Sequence, residues 1–173
     1  MDRSAVGIVI LHEDLITGIR VTAMLDRLFN QADTKSHREI WKYDSLRHHT
    51  LWDQAAAQAV AADMTVISAF GNSELPDHIK DWVETVLFQK QSRPPSVLVL
   101  LDWQPETINP GEPSALSLYL REQTMKYGVD FLCNTCDWRR TGEAGPVYAG
   151  TDDDRWETRE ISFAGVQHWG IND

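Results

Sequence analysis

Five short apolar runs recur along the chain, and the stretches between them carry apolar residues at helical rather than alternating spacing. The runs cover 5–11 (AVGIVIL), 39–43 (EIWKY), 64–70 (MTVISAF), 96–101 (SVLVLL) and 129–133 (VDFLC). The first, third and fourth are nearly continuous, which suits strands covered on both faces of a parallel sheet. In the first intervening segment Ile16, Ile19, Val21, Leu25, Leu28 and Phe29 share a stripe. Asp14 stands where a carboxylate accepts the orphan N–H groups of a first helical turn. The second segment, 51–62, is rich in Ala, and Thr50 with Asp53 has capping-box spacing. The third has Pro76 in its first turn, where a missing N–H costs nothing, and a stripe of Leu75, Ile79, Trp82, Val83, Val86 and Leu87. The fourth begins near Ser114, buries Leu116, Tyr119 and Leu120, and stops at Gly128.

Five strands joined by four such crossovers predict a right-handedly wound parallel sheet of order 2-1-3-4-5, with helices on both faces: a three-layer α/β sandwich. Segment 104–113 holds three prolines and a glycine and reads as a long loop after the fourth strand. Residues 1–138 make up this domain. From Arg139 the alternation fails, and 139–173 reads as a C-terminal extension. It sets Asp152, Asp153 and Asp154 beside Trp156, Phe163 and Trp169, too aromatic a mix for a disordered tail. The expectation is that it packs on the same domain or serves as the arm of a homodimer.

Composition narrows the partners. A length of 173 residues with 42% hydrophobic residues fits one domain with a real core. No apolar run approaches the roughly 18 residues that span a bilayer, so no membrane segment is expected. The start, MDRSAVGIVILHEDL, runs from one Arg into a short apolar stretch and then charge, which reads as a first strand rather than a signal peptide. Two cysteines and no export signal point to a reducing cytoplasm. The net charge of −10 repels nucleic acid, and the basic clusters Arg47-His48-His49 and Arg139-Arg140 are short. Small molecules and proteins remain as partners.

In open α/β sheets, ligands bind beyond the C-terminal strand ends, near the point where strand order reverses. That rim carries His12, Glu13 and Asp14, then Asp44, then Gly71, Asn72, Ser73 and Glu74, then Asp102 and Trp103, and finally Asn134, Cys136, Asp137 and Trp138. The candidate ligand-binding residues are Glu13, Asp14, Thr17, Gly18, Asp44, Gly71, Asn72, Asp102 and Trp103. Glu13, Asp14 and Asp102 are the candidate metal ligands, since carboxylates gathered on one rim suit Mg²⁺. His48 and His49 are adjacent and diverge, so they read as a solvated pair. Cys133 and Cys136 form a CxxC that leaves the last strand with no helix start to stabilise a thiolate.

The Glu13-Asp14 pair and the α/β alternation resemble phosphoacceptor receiver domains, in which such carboxylates hold Mg²⁺ beside an Asp ending the third strand. The third run here ends Ser68-Ala69-Phe70-Gly71, Asp102 or Trp103 replaces the small hydroxyl residue, and Asn134 replaces the lysine. With the nucleophile missing, aspartyl phosphorylation is not expected. Thr17-Gly18-x-x-x-Thr22, and Phe70-Gly71-Asn72 followed by Pro76, Lys80 and Trp82-Val83-Glu84, resemble the phosphate and isoalloxazine loops of the flavodoxin and FMN-reductase group. That resemblance implies FMN, although two carboxylates flank the expected phosphate position and only Arg20 is at hand to offset them.

Across the whole chain, Glu13-Asp14-x-x-Thr17-Gly18, Trp41-Lys42-Tyr43-Asp44, Gly71-Asn72-x-Glu74-Leu75-Pro76 and His168-Trp169-Gly170-Ile171-Asn172 are similar to a group of short bacterial proteins of flavodoxin-like or receiver-like build. The resemblance brings no activity and implies that the tail belongs to the domain. The leading expectation is a non-catalytic module that binds a small ligand or a protein partner at the strand ends. The alternatives are an FMN-dependent oxidoreductase and a Mg²⁺-assisted enzyme using the acidic rim.

Overall fold

The computed structural model describes residues 5–92, 96–104 and 112–137, with the backbone alone of Gln104, Cys136 and Asp137. The elements run β1 (Val6–His12), α1 (Leu15–Gln31), β2 (Ser36–Lys42), a short 3-10 helix (Tyr43–Arg47), α2 (His49–Ala61), β3 (Met64–Phe70), α3 (Asp77–Lys90), β4 (Val97–Gln104), α4 (Ala115–Tyr127) and β5 (Asp130–Asp137). The five strands form one sheet in the order β2-β1-β3-β4-β5. Every neighbouring pair is parallel.

The sheet has two unlike faces. On one, α2, α3 and α4 pack on Val9, Leu11, Ile67, Ala69, Leu98 and Leu100. On the other, Val21, Met24, Leu25 and Phe29 of α1 pack against Ile8, Ile10, Met64, Val66, Val99 and Leu101. Period-2 alternation sends successive residues of each strand into opposite cores, which is why the central strands read as unbroken apolar runs.

Local signals place the helices, with corrections. Asp14 caps α1 as expected, and Ser114 caps α4 through its side chain. Gly128, at φ 67°, ends α4 in the left-handed conformation that glycine adopts without strain. Thr50 and Asp53 form no capping box; α2 starts two residues earlier, after His48, and Asp53 lies against His49 at 2.9 Å instead. Pro76 is the residue before α3, and its carbonyl accepts from the N–H groups of Ile79 and Lys80.

The α1 stripe is also corrected. Ile16 and Ile19 are 45% and 61% exposed, and Thr17, Gly18 and Arg20 face inward in their place. Among these inward residues Gly18 lies close against the His12 ring, where a Cβ would come 2.9 Å from Nδ1. Tyr119 is half-buried rather than core. The strand at 39–43 in fact spans Ser36–Lys42. It is a polar edge strand, and the apolar signal had caught only its end and the 3-10 helix after it.

Candidate functional site

β1 and β3 are neighbours whose crossovers run in opposite directions, so their C-terminal ends form the switch point at which ligands of open sheets bind. Only Glu13 and Asp14 separate β1 from α1. Both carboxylates are committed to backbone donors. Asp14 Oδ1 accepts from the Thr17 N–H at 2.8 Å, while the Asp14 N–H donates to Thr17 Oγ1 at 3.1 Å, a reciprocal capping box. Glu13 Oε2 accepts from the Phe70 N–H at 2.9 Å, and the Glu13 N–H donates to the Ser68 carbonyl. The switch point is therefore closed by the chain's own acids.

Beneath it, on the α1 face, lies a buried polar hub. Ser68 Oγ donates to the Thr17 carbonyl at 3.0 Å and accepts from the Trp103 indole at 2.8 Å. Arg20 lies over the Trp103 ring, 5.4 Å from its centroid. Trp103 is 3% exposed and Arg20 is 6% exposed. Trp103 is thus a core residue and offers no stacking platform on the rim. Arg20 is committed to the α1 core.

The remaining candidates scatter. Asp44 is exposed in the 3-10 helix, and Arg47 and then Lys42 hold its carboxyl below the ordinary range. Tyr43 beside it is buried, and that burial, with the charge of Glu13, pushes its phenol far above its ordinary value. Asp102 is fully buried on the α2–α4 face, and a Cβ on Gly71 would overlap its carboxylate. Gly71 is thus required by close approach. Among the described residues no group of three or more His, Cys, Asp or Glu side chains is placed to hold a metal ion, so Glu13, Asp14 and Asp102 do not form the expected carboxylate cluster. His48 and His49 are both exposed. Cys133 and Cys136 lie three apart within β5, positions of opposite faces, so the turn that a redox or zinc-binding CxxC needs is not formed. Cys133 is an exposed residue with a free thiol, and desolvation of that thiol by its neighbours, then the Asp102 carboxylate, pushes its pKa up to about 11.

The open space lies elsewhere on the rim. A cleft of about 490 Å³ runs between the loop after β3 and the start of α4. Gly71 to Leu75 and Lys80 line one side, and Pro113 to Leu116 with Tyr119 the other. Lys80 Nζ donates to Glu74 at 2.7 Å, holding that carboxyl below its usual range. The Tyr119 hydroxyl donates to Glu84 at 3.3 Å. Leu75 and Leu116 make an apolar floor under a polar lip, the composition of a small-ligand pocket. Of the sequence candidates, only Gly71 and Asn72 line this cleft.

Sequence inspection singled out neither Ser68, Ser114 nor Tyr119 as a site residue, and it named Lys80 only within the flavodoxin-like pattern that follows Phe70-Gly71-Asn72. Ser68 had a signal, being a polar residue inside an apolar run covered on both faces. Ser114 and Tyr119 had none, because the cleft they line forms only where the loop after β3 meets the start of α4.

The architecture is that of a flavodoxin-like α/β protein. A mutant flavodoxin from Pseudomonas aeruginosa superposes with a TM-score of 0.53 at 18% identity, over 91% of this chain and 96% of its own. A Streptococcus pneumoniae flavodoxin gives 0.49 at 10% identity over 77% and 85% of the two chains. An archaeal flavodoxin gives 0.44 at 9% identity over 75% and 83%. No family model and no curated protein sequence matches the chain. Among the described residues no helix is long and apolar enough to cross a membrane.

Proposed function

We propose that this chain is a non-catalytic flavodoxin-like module that binds a small molecule or a protein partner in the cleft between the loop after β3 and the start of α4. One observation carries the reading: the Asp14 carboxylate caps the helix start to which a phosphate would bind. The fold family implies FMN. A phosphate binds at a helix N-terminus because backbone N–H groups and the helix dipole face it. Here a fixed carboxylate already accepts from Thr17, and a two-residue loop leaves the backbone no arc in which to wrap an anion. The neighbouring Glu13 adds a second negative charge. These residues do not fit the FMN phosphate.

The cleft supports binding in its own right. Its volume is within the range of small-ligand sites, about 300–1,000 Å³. Its donors and acceptors include Asn72, Ser73, Lys80 and Tyr119, over an apolar floor. The net charge of −10 disfavours nucleic acid as the occupant. The test is an amide NMR screen of the labelled full chain with small amphipathic fragments. Hits should shift the signals of Gly71–Leu75 and Ala115–Tyr119. Hits confined to Glu13–Gly18 would contradict the reading.

A further inference from the structure

The charges around the cleft are unbalanced. Glu74 and Glu112 line it, and Lys80 is the one cation among its described lining residues. Lys80 is already matched, because its Nζ lies 2.7 Å from Glu74 and 3.9 Å from Asp77. The Glu74 side chain is 86% exposed, so its carboxylate stays open to a second partner. Tyr119 adds an aromatic ring, a surface that attracts cations, and its hydroxyl donates to a further carboxylate, Glu84. The first turn of α4 favours an anion, but its Ser117 N–H is taken by Ser114 Oγ at 3.0 Å, and a helix end carries only about half a charge. Residues 105–111, which lead to Glu112, and the C-terminal extension, 139–173, lie outside the described residues. The first stretch contains Glu106 and no Lys or Arg, and the second contains more acidic than basic side chains. A concave site lined by an excess of one sign concentrates ligands of the other.

We infer, with the cleft taken as the binding site, that its occupant is a small amphipathic cation: an apolar body seated on Leu75 and Leu116, with a protonated amine or similar group at the Glu74 carboxylate. Leu75 and Leu116 put hydrocarbon at the bottom of a cleft of about 490 Å³, which admits a compound of that size. Asp77 stays near Lys80, so Glu74 can turn one oxygen to a ligand without leaving the ammonium alone. An anion would instead face Glu74, Glu112 and Asp77 with no unmatched cation among the described lining residues. Like charges in such a site repel, and a phosphate-bearing ligand is disfavoured on the same ground.

Amide NMR titration of the labelled full chain at neutral pH tests this with three compounds of one shape: phenethylammonium, phenylpropionate and the neutral phenylpropionamide. Phenethylammonium should shift the signals of Gly71–Leu75 and Ala115–Tyr119 and bind about tenfold more tightly than phenylpropionate. The preference should fade as salt shortens the Debye length from about 30 Å at 0.01 M to about 3 Å at 1 M. Glu74→Gln, a change at an exposed side chain, should remove most of it. Glu39→Gln removes the same charge from the edge strand β2 and should leave it intact. Binding of the anion or the neutral amide in the cleft as tight as that of the cation would overturn the inference and leave the cleft as the binding site. Equal losses in the two variants would trace the preference to net charge and overturn it as well. If none of the three compounds shifts either segment, the inference and the cleft fall together.

Discussion

The Glu13 carboxylate accepts a hydrogen bond from the Phe70 backbone N–H at 2.9 Å, joining the ends of β1 and β3 across the switch point of the sheet. A carboxylate that accepts from a backbone donor forms a charge-assisted bond, the stronger kind. Replacing Glu13 by Ala removes it and leaves the Phe70 N–H without that acceptor. Glu13→Ala should therefore lower the unfolding free energy by about 1.5–3 kcal/mol, and Glu13→Gln, which keeps an acceptor, by less. Urea denaturation reads both. Equal losses for the two variants would show that the charge, not the bond, holds the strand ends together.

Asp14 and Thr17 cap each other at the start of α1. Asp14→Ala should destabilise by about 1 kcal/mol, and Asp14→Asn should be close to neutral, because Asn caps as well as Asp. The midpoint in urea measures this. A neutral Asp14→Ala would mean that the capping box contributes nothing to α1.

Gly71 lies so close to Asp102 that any Cβ overlaps the carboxylate. Gly71→Ala should destabilise by about 1–3 kcal/mol through overpacking. In an Asp102→Ala background the penalty should shrink, with a coupling of about 0.5–3 kcal/mol between the two positions. Additive effects would place the cause in the backbone rather than in the contact.

The Cys133 thiol has its pKa raised from 9.0 to about 11, first by desolvation against its neighbours and then by the Asp102 carboxylate, although the residue as a whole is exposed. Between those values the folded chain holds a proton that the unfolded chain has released. The contribution is therefore full below pH 9 and is lost as pH rises through about 11. In a Cys136→Ser background, iodoacetamide should react slowly with Cys133 at neutral pH and accelerate toward pH 11. Asp102→Asn should shift that profile to lower pH. An alkylation profile centred at pH 9 or below would contradict the assignment.

The strand order and the central strands were legible in the sequence, because burial on both faces leaves unbroken apolar runs such as MTVISAF. Asp14 was legible as a cap, because capping depends only on neighbours in the chain. β2 was blurred: SHREIWK is an edge strand with little burial, so its polar first half carries no apolar signal. Ile16 and Ile19 misled for the converse reason. They continue the helical stripe of α1, but in that turn Thr17, Gly18 and Arg20 take the inward positions and leave both isoleucines exposed. The cleft was invisible, since Leu75 and Leu116 meet only after α3 and β4 have been laid between them.

The closure of the α1 start by Asp14 and Glu13 is tested most directly by calorimetric titration of the full chain with FMN. The account predicts no saturable heat in the submicromolar range and no yellow complex surviving gel filtration. A stoichiometric, submicromolar FMN complex would contradict it and put a flavin-dependent oxidoreductase in its place.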